Sequence, residues 1–176
     1  MSHTSYAKGT EGAYLAAYDE HADSIFRFIV SKVSDHEMAH DLVQETFTRT
    51  WDYCADGGEV LQWKPFLFRT AYNLVIDYYR KKRSVSLDAL MDEDGFMPAD
   101  TTSISASDES EHARIRAHLR SLDDTYRDIL MLRYIEDMPV RDIAIALQLS
   151  ENVVSVRIHR GIKILREKLH VDTIAQ

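Results

Sequence analysis

The chain has 176 residues, and its 45% of hydrophobic residues is normal for a protein that buries one large or two small cores. It holds no apolar run of about 18 residues and no signal-peptide pattern at its start, so we expect a cytoplasmic protein without membrane insertion. Its single cysteine excludes an internal disulfide, and its net charge of −8, taken alone, argues against a nucleic-acid-binding protein.

The negative charge is concentrated in the middle of the chain. Residues 84–112 contain eight Asp and Glu and no Lys or Arg. By contrast, residues 69–83 and 157–168 each hold five Lys and Arg against one acidic residue. Because exposed charges act over a screening length of about 10 Å, the total charge does not describe these basic stretches. Binding to nucleic acid therefore stays open.

Residues 1–83 have the hydrophobic periodicity of three helices. The first presents an apolar face formed by Leu15, Tyr18, Ile25, Phe28, Ile29 and Val33. The second begins at Asp35, a predicted N-cap, and runs through Leu42, Val43, Thr46, Phe47 and Thr50 to about Cys54. The third extends from about Gln62 to Arg83 and buries Phe66, Ala71, Leu74, Val75 and Tyr78. We predict a three-helix bundle.

A second helical block follows an acidic segment. Residues 84–112 combine Ser and acidic residues with few aromatic residues, a composition that predicts a flexible linker. For the final domain, residues 113–176, we predict helices over 109–120, 124–136, 139–147 and 151–169. The predicted fold is all-α, with two small helical domains.

The last two predicted helices form a recognisable motif. The first of them has Ile143, Ala144 and Leu147 on its inner face. Ser150 is a predicted N-cap for the second, whose inner face consists of Val154, Ile158, Ile162, Leu165 and Leu169. Two short helices joined by a tight turn, with basic residues on the outer face of the second, are typical of a helix-turn-helix that contacts DNA phosphates.

The sequence HEMAH, from His36 to His40, matches the HExxH zinc-peptidase pattern. On a helix the two histidines would share one face, with Glu37 placed to activate a metal-bound water. The block shows no strand pattern for a peptidase cleft, and Val43 and Thr46 occupy the Gly and His positions of the extended motif. We therefore favour a solvated helix face, with no catalytic residue, metal or cofactor.

Aromatic and basic residues alternate in WKPFLFRTAYNLVIDYYRKKR. We expect about half of these aromatic rings to lie in the core. The others, next to cations, have the combination that single-stranded DNA requires, with rings to stack on bases and charges to follow the backbone. Together with the helix-turn-helix, this pattern suggests promoter opening.

Three motifs in this order resemble one known family. They are DLVQETF (Asp41 to Phe47), NLVIDYYR (Asn73 to Arg80) and RIHRGIKILREKL in the last helix. These motifs are similar to those of the bacterial extracytoplasmic-function (ECF) sigma factors of the sigma-70 family. The resemblance covers about 150 residues. It implies that the first block is sigma region 2 and the last is region 4.

The resemblance implies roles for individual residues of region 2. The helix that binds the clamp helices of the largest polymerase subunit would contribute Asp41, Gln44, Glu45 and Arg49. The helix that engages the −10 element and a base flipped from the non-template strand would contribute Asn73, Asp77, Arg80, Lys81 and Arg83. The loop that selects this base would lie at about residues 54–62.

In region 4, the resemblance implies that the recognition helix faces the −35 major groove with Ser155, Val156, His159 and Arg160. Arg160 is suited to guanine and Val156 to a thymine methyl, while Arg157 and Lys163 are assigned to phosphates. The family usually has Gly in the turn where this chain has Gln148, so this residue must adopt an uncommon backbone conformation or shift the turn.

The sequence therefore predicts a promoter-specificity subunit in the bacterial nucleoid. Its implied partners are core RNA polymerase, including the flap region for region 4, and promoter DNA, duplex at −35 and single-stranded at −10. An anti-sigma factor is also implied, and it could hold the protein at the membrane. The alternative is a freestanding helix-turn-helix regulator; the zinc peptidase is a remote third possibility.

Overall fold

The computed structural model describes residues 8–33, 35–88, 119 and 122–174. These residues form no β-strand and six helices, namely α1 Lys8–Val30, α2 His36–Ala55, α3 Trp63–Asp88, α4 Asp124–Tyr134, α5 Val140–Leu147 and α6 Glu151–Ile174. The chain divides into two compact units, Met1–Thr101 and Thr102–Gln176. The predicted all-α fold with two helical domains is confirmed, although the helix predicted over 109–120 lies outside the described residues except for Leu119.

The first unit is a bundle in which α1, α2 and α3 each contact the other two. The largest fully buried side chains of its core are Ile25, Phe28, Ile29, Leu67 and Phe68. The rings of Phe28 and Phe68 meet edge to face with centroids 5.4 Å apart. Each such side chain contributes about 1.5–3 kcal/mol through burial, so these contacts between α1 and α3 are the centre of the bundle.

Two buried threonines on α2 show how polar residues fit into this core. Thr46 donates a hydrogen bond from Oγ1 to the Leu42 carbonyl at 2.7 Å, and Thr50 donates to the Thr46 carbonyl at 2.8 Å. Each hydroxyl is thereby satisfied within its own helix. The two threonines share the buried face of α2 with Leu42, Val43 and Phe47.

The predicted apolar face of α1 is wrong in its first half. Leu15 is 54% exposed and Tyr18 is 44% exposed. The buried positions are instead Ala17 and His21, which continue in steps of four residues to Ile25. A small residue and a polar residue occupy the buried side, so a search for large apolar side chains selects their more hydrophobic neighbours.

Helix α3 also differs from its prediction. Ala71, Leu74 and Val75 are buried as predicted, but Phe66 and Tyr78 are only half-buried. The helix continues to Asp88, five residues beyond its predicted end.

Within its described residues, the second unit contains α4, α5 and α6, each in contact with the others. Its large, fully buried side chains are Ile129, Leu130, Leu132, Met138, Ile143 and Val154. Between α4 and α5 the backbone turns at Asp137, which has a positive φ of 50°. Arg133 Nη1 donates a hydrogen bond to the Met138 carbonyl at 2.9 Å and closes this turn. The core thus holds α5 and α6 together as a unit with α4.

Candidate functional site

The outer face of α2 is formed by the four residues predicted to bind polymerase. The side chain of Asp35 starts the helix by accepting hydrogen bonds from the amides of Glu37 at 2.9 Å and Met38 at 3.3 Å, which confirms the predicted N-cap. Four exposed side chains follow this cap with helical spacing, namely Asp41, Gln44, Glu45 and Arg49. They form one polar surface opposite the buried face.

Glu45 and Arg49 form an ion pair on this surface. The Arg49 Nε donates a hydrogen bond to Glu45 Oε1 at 2.7 Å, and both side chains are about half exposed. An exposed pair with i,i+4 spacing contributes only about 0.3–0.5 kcal/mol, so a partner can displace it at low cost.

The turn between α2 and α3 is held in a defined shape by two glycines. Gly57 has a φ of 90°, a conformation that side-chain-bearing residues rarely adopt. The Gly58 amide donates to the Tyr53 carbonyl at 2.8 Å, and the Tyr53 ring occupies the space where a β-carbon of Gly58 would lie. The Tyr53 ring in turn contacts Phe66, with centroids 5.1 Å apart. Within the predicted selection loop of residues 54–62, Cys54 and Ala55 belong to α2, and the turn itself follows them.

The same turn presents an apolar side chain that the sequence prediction missed. Leu61 is 83% exposed and lies two residues before Trp63, the first residue of α3. The local sequence does not show whether Leu61 is exposed or buried, because a leucine of either kind can follow a glycine break. The exposed Leu61 and the half-exposed Tyr53 make this end of the bundle more apolar than the polar face of α2.

An aromatic cluster lies beside this turn, where α1, α2 and α3 meet. Tyr14 contacts the rings of Trp51 at 4.9 Å and Trp63 at 6.4 Å, and its hydroxyl donates to the Phe47 carbonyl at 3.1 Å. Burial is the main cause that raises the pKa of Tyr14, and the neighbouring Tyr18 raises it further. The cluster anchors the first turn of α3, which begins at Trp63.

The outer face of α3 carries the residues predicted for −10 DNA. Arg80, Lys81 and Arg83 are exposed, while Asn73 and Asp77 are half-buried. Arg80 Nη2 lies 3.0 Å from Asp77 Oδ1 in an exposed ion pair.

Two further residues of this face were not assigned to the −10 site, although Arg69 belongs to the basic stretch recognised in the sequence. Arg69 is exposed one helical turn before Asn73, and Ile76, which is 46% exposed, lies between Asn73 and Arg80. The signal that identifies them is helical spacing: positions 69, 73, 76, 80 and 83 follow one stripe. The outer stripe of α3 therefore combines three arginines with an amide and one apolar side chain.

The aromatic residues of this segment are less buried than we expected. Phe68 is fully buried, whereas the half-buried rings are those of Trp63, Phe66, Tyr72, Tyr78 and Tyr79. The Tyr79 hydroxyl donates a hydrogen bond to the Lys32 carbonyl, at the end of α1. This bond fixes the second half of α3 to the α1–α2 connection.

The predicted helix-turn-helix is present as α5 and α6. Gln148 ends α5 in the left-handed conformation with φ 55° and ψ 43°, so the turn keeps its place and Gln148 adopts the uncommon conformation. Ser150 Oγ accepts a hydrogen bond from the Val153 amide at 3.3 Å, which confirms it as the cap of α6. The inner residues Ile143, Ala144 and Leu147 are buried as predicted.

Most of the residues predicted to contact −35 DNA lie on the outer face of α6. Val156, His159, Arg160 and Lys163 are exposed. Ser155 and Arg157 are half-buried, so they lie at the edges of this face. The opposite side buries Val154, Ile158 and Gly161. The exposed positions present one apolar and three polar or basic side chains, which is the chemistry needed to read base edges and phosphates.

Helix α4 begins after Asp123, and positive charges act on the carboxylate of this residue. Asp123 caps α4 by accepting a hydrogen bond from the Thr125 amide at 2.9 Å. Hydrogen bonds from Thr125, followed by the positive charges of Arg127 and Arg157, lower the pKa of Asp123. Arg127 is buried and pairs through Nη2 with Asp124 Oδ1.

The two histidines of HEMAH pack against a phenylalanine. The His40 ring stacks on Phe26 with centroids 4.4 Å apart, and the His36 ring lies 6.1 Å from the same ring. Among the described residues, no three His, Cys, Asp or Glu side chains form a group that could hold a metal ion. The contacts support a packing role for these histidines.

Two family models match the chain. The model "Sigma-70 region 2" matches residues 17–85, and "Sigma-70, region 4" matches residues 112–165. The "ECF RNA polymerase sigma factor SigM" of Bacillus subtilis (strain 168) is 30% identical over 138 residues, which cover 76% of this chain and 81% of SigM. The "ECF RNA polymerase sigma factor SigL" of Mycobacterium tuberculosis is 29% identical, over 94% of each chain. The chain belongs to the sigma-70 family, and within it to the ECF sigma factors.

Solved structures agree with this assignment. The sigma factor RpoE of Bartonella quintana, in complex with the anti-sigma factor NepR, has a TM-score of 0.66 and 25% identity, over 94% of this chain and 99% of RpoE. CnrH, in complex with the cytosolic domain of CnrY, shares the fold with a TM-score of 0.64. The function of the chain is that of an RNA polymerase sigma factor, a regulatory class of protein. In the part of the chain that the structure describes, no helix is long and apolar enough to cross a membrane.

Proposed function

We propose that this chain binds core RNA polymerase, directs it to −35 and −10 promoter elements, and assists opening of the −10 region without catalysing a reaction itself. The observation that carries the proposal is the order of three exposed faces, on α2, α3 and α6, within segments that match sigma regions 2 and 4. Nucleotide hydrolysis is not part of the proposal, so binding energy must offset the few kcal/mol needed to unstack a base.

Reconstituted transcription tests this proposal. Purified core polymerase with this chain should give specific run-off transcripts that are absent without it, and start-site sequencing after overexpression should reveal both promoter elements. A freestanding regulator would instead bind a duplex operator tightly without polymerase and leave core polymerase inactive. That second result would replace the proposed function with its alternative.

The outer face of α2 is proposed to dock on the clamp helices of the largest polymerase subunit. The support is the common exposure of Asp41, Gln44, Glu45 and Arg49 and the weak internal pairing of the last two. A surface of this kind gives specificity through complementary charge.

Charge reversal tests this docking. Asp41→Lys combined with Glu45→Lys should weaken core binding by about tenfold or more, because opposed charges become like charges. Asp19→Lys, on the exposed side of α1, is the matched control and should leave core binding unchanged. Equal binding by the double variant and wild type would remove this face from the interface.

The stripe on α3 is proposed to hold the non-template strand of the −10 element. Asn73, Asp77 and Arg80, with the turn at residues 56–62, would surround the extruded base, while Lys81 and Arg83 follow the backbone. Asn73→Ala should slow opening, measured with 2-aminopurine in the −10 element, by about tenfold. Asp23→Asn, an exposed change on α1, should not slow it. An opening rate unaffected by Asn73→Ala would contradict the assignment.

The outer face of α6 is proposed to read the −35 element with Ser155, Val156, His159 and Arg160. Arg157 and Lys163 are proposed to contact phosphates. If Val156 meets a thymine methyl, replacing that thymine with uracil should weaken wild-type binding more than binding of Val156→Ala, whose smaller side chain makes less contact with the methyl. An equal loss in both proteins would show that the methyl is read elsewhere.

We further propose that an anti-sigma factor holds this chain inactive, and that it can do so at the membrane. The support is that RpoE and CnrH were each solved with a partner, an anti-sigma factor in the case of RpoE.

The flap region of polymerase is the proposed contact for region 4. The acidic side chains of residues 89–112, which follow α3 in the predicted linker, are proposed to occupy a basic polymerase channel, since residues 84–88 belong to α3. Replacing these acids with Ser and Gly should impair initiation while both units stay folded.

The proposed anti-sigma factor has its own test: a protein that co-purifies with the chain and stops run-off transcription would be the expected inhibitor.

A further inference from the structure

Tyr53, in the last turn of α2, is an exposed aromatic residue that two neighbours hold in place. The Gly58 amide donates a hydrogen bond to the Tyr53 carbonyl at 2.8 Å, and the Tyr53 ring fills the space that a side chain at position 58 would occupy. On α3, the centroid of the Phe66 ring lies 5.1 Å from that of Tyr53. Tyr53 nevertheless stays 44% exposed. The bundle thus presents a positioned aromatic ring to solvent.

The Tyr53 ring lies in line with the outer stripe of α3. Phe66, on which it packs, precedes Arg69 by three residues and Asn73 by seven, so these positions share one face of the helix. Arg69 is exposed. A DNA strand that follows the stripe from Arg80 toward the start of α3 would therefore pass Arg69 and then meet the Tyr53 ring.

An exposed ring that follows a row of cations suits an unpaired nucleobase. Every base has a π face that can stack on an aromatic ring, and the guanidinium of Arg69 can meet the adjoining phosphate. Leu61, which is 83% exposed in the turn after α2, adds apolar surface at this end of the bundle. Tyr53 lies outside the aromatic and basic segment of residues 63–83, so the sequence did not assign it to DNA.

We propose that Tyr53 is the stacking surface for a second unpaired base of the −10 non-template strand, distinct from the extruded base proposed to lie beside Asn73. The seven residues from Phe66 to Asn73 correspond to a rise of roughly 10 Å along α3, about three times the 3.4 Å spacing of stacked nucleotides. A base on Tyr53 is therefore not the base at Asn73. The inference rests on the proposed binding of this strand by α3.

The experiment uses the holoenzyme, formed from the full chain and core polymerase, and a labelled single strand with the non-template sequence of a mapped −10 element. One base at a time is removed to leave an abasic site, and affinity is measured by fluorescence anisotropy. At one position, we expect base removal to weaken wild-type binding about fivefold or more and to have almost no effect on Tyr53→Leu. Tyr53→Phe keeps a ring and should behave as wild type.

Tyr18→Leu is the matched control, because Tyr18 is also 44% exposed and also packs on a phenylalanine ring, that of Phe47. It should respond to every abasic site as wild type does. The position identified with Tyr53→Leu should differ from the position at which base removal no longer affects Asn73→Ala.

The proposal is overturned if each abasic site weakens Tyr53→Leu and wild type by the same factor, because the ring would then only support the turn. A single position shared by Tyr53 and Asn73 overturns it as well. If thermal unfolding shows that Tyr53→Leu does not fold, the wild-type holoenzyme is irradiated with strands that carry 5-iodouracil at successive positions. A crosslink to Tyr53 is then expected, and its absence overturns the proposal.

Failure of the wild-type holoenzyme to bind the intact −10 strand would be a different result. It would reject the proposed function, and the stacking role of Tyr53 with it.

Discussion

Gly161 of α6 lies directly against Leu130 of α4, so that a β-carbon at Gly161 would come within 3.0 Å of the Leu130 Cδ1 atom. Leu130 is 1% exposed, and protein interiors are close-packed, so a shift of its side chain would disturb its neighbours. The approach of the two helices therefore depends on the missing side chain. It sets how closely the recognition helix packs on the rest of its unit.

Gly161→Val is expected to destabilise the second unit by about 1–3 kcal/mol, because two extra methyl groups would overpack the contact with Leu130 and Tyr126. The protection of α4 and α6 amides in hydrogen exchange would measure this loss. Gly12→Ala is the control: a β-carbon there has nothing within 4 Å, so the better helix former should stabilise the first unit. Unchanged protection in Gly161→Val would show that α4 and α6 can separate freely.

Gln148→Gly is expected to stabilise the second unit by roughly 0.5–1 kcal/mol. The left-handed conformation of Gln148 costs an L-residue about 1–2 kcal/mol, and glycine avoids that cost while it gains flexibility in the unfolded chain. Gln148→Ala controls for loss of the side chain and should not stabilise. Calorimetry of the full chain would compare the three proteins, and equal stability of the Gly and Ala variants would contradict the conformational explanation.

Acid is expected to weaken the second unit partly through Asp123. Its pKa lies below the ordinary 3.8 in the folded protein, so the unfolded chain takes up the proton first. The stabilisation is complete above the ordinary pKa and is lost as the pH falls through the lowered value. Hydrogen exchange of α4 between about pH 5 and 2.5 should show a smaller loss of protection in Asp123→Asn than in wild type. Parallel curves would place the acid sensitivity elsewhere.

The HEMAH histidines are expected to act through packing. His40→Ala should lower the stability of the first unit by about 0.5–1 kcal/mol because it removes the ring that stacks on Phe26, whereas His40→Phe should retain it. Both tryptophans, Trp51 and Trp63, are in this unit, so their fluorescence during urea unfolding reports it selectively. One zinc per purified chain, lost in His40→Phe, would revive the metal interpretation.

The features predicted correctly from the sequence are those decided by local chemistry. Asp35 and Ser150 cap helices because their side-chain oxygens reach the nearby backbone amides. For Gln148 the sequence left two outcomes open, an uncommon backbone conformation or a shifted turn, and the structure shows the first. Burial of Thr46 and Thr50 became clear only from the packing of α2.

The features that were missed depend on contacts between distant segments. Leu15 and Tyr18 have the same spacing as core residues, and only the packing of α1 on α2 and α3 shows that Ala17 and His21 face inward. Similarly, Arg157 and Lys163 look equivalent in the sequence, and only the packing of α6 shows that Arg157 is half-buried while Lys163 is exposed.

The buried thiol in α2 gives the protein a built-in chemical reporter. Cys54 is 8% exposed, and burial raises the pKa of its thiol. Alkylating reagents react with the thiolate, so native Cys54 should be modified only when its surroundings open. Since this is the single cysteine of the chain and belongs to the first unit, its rate of alkylation measures the opening of that unit in the intact sigma factor, free or bound to polymerase.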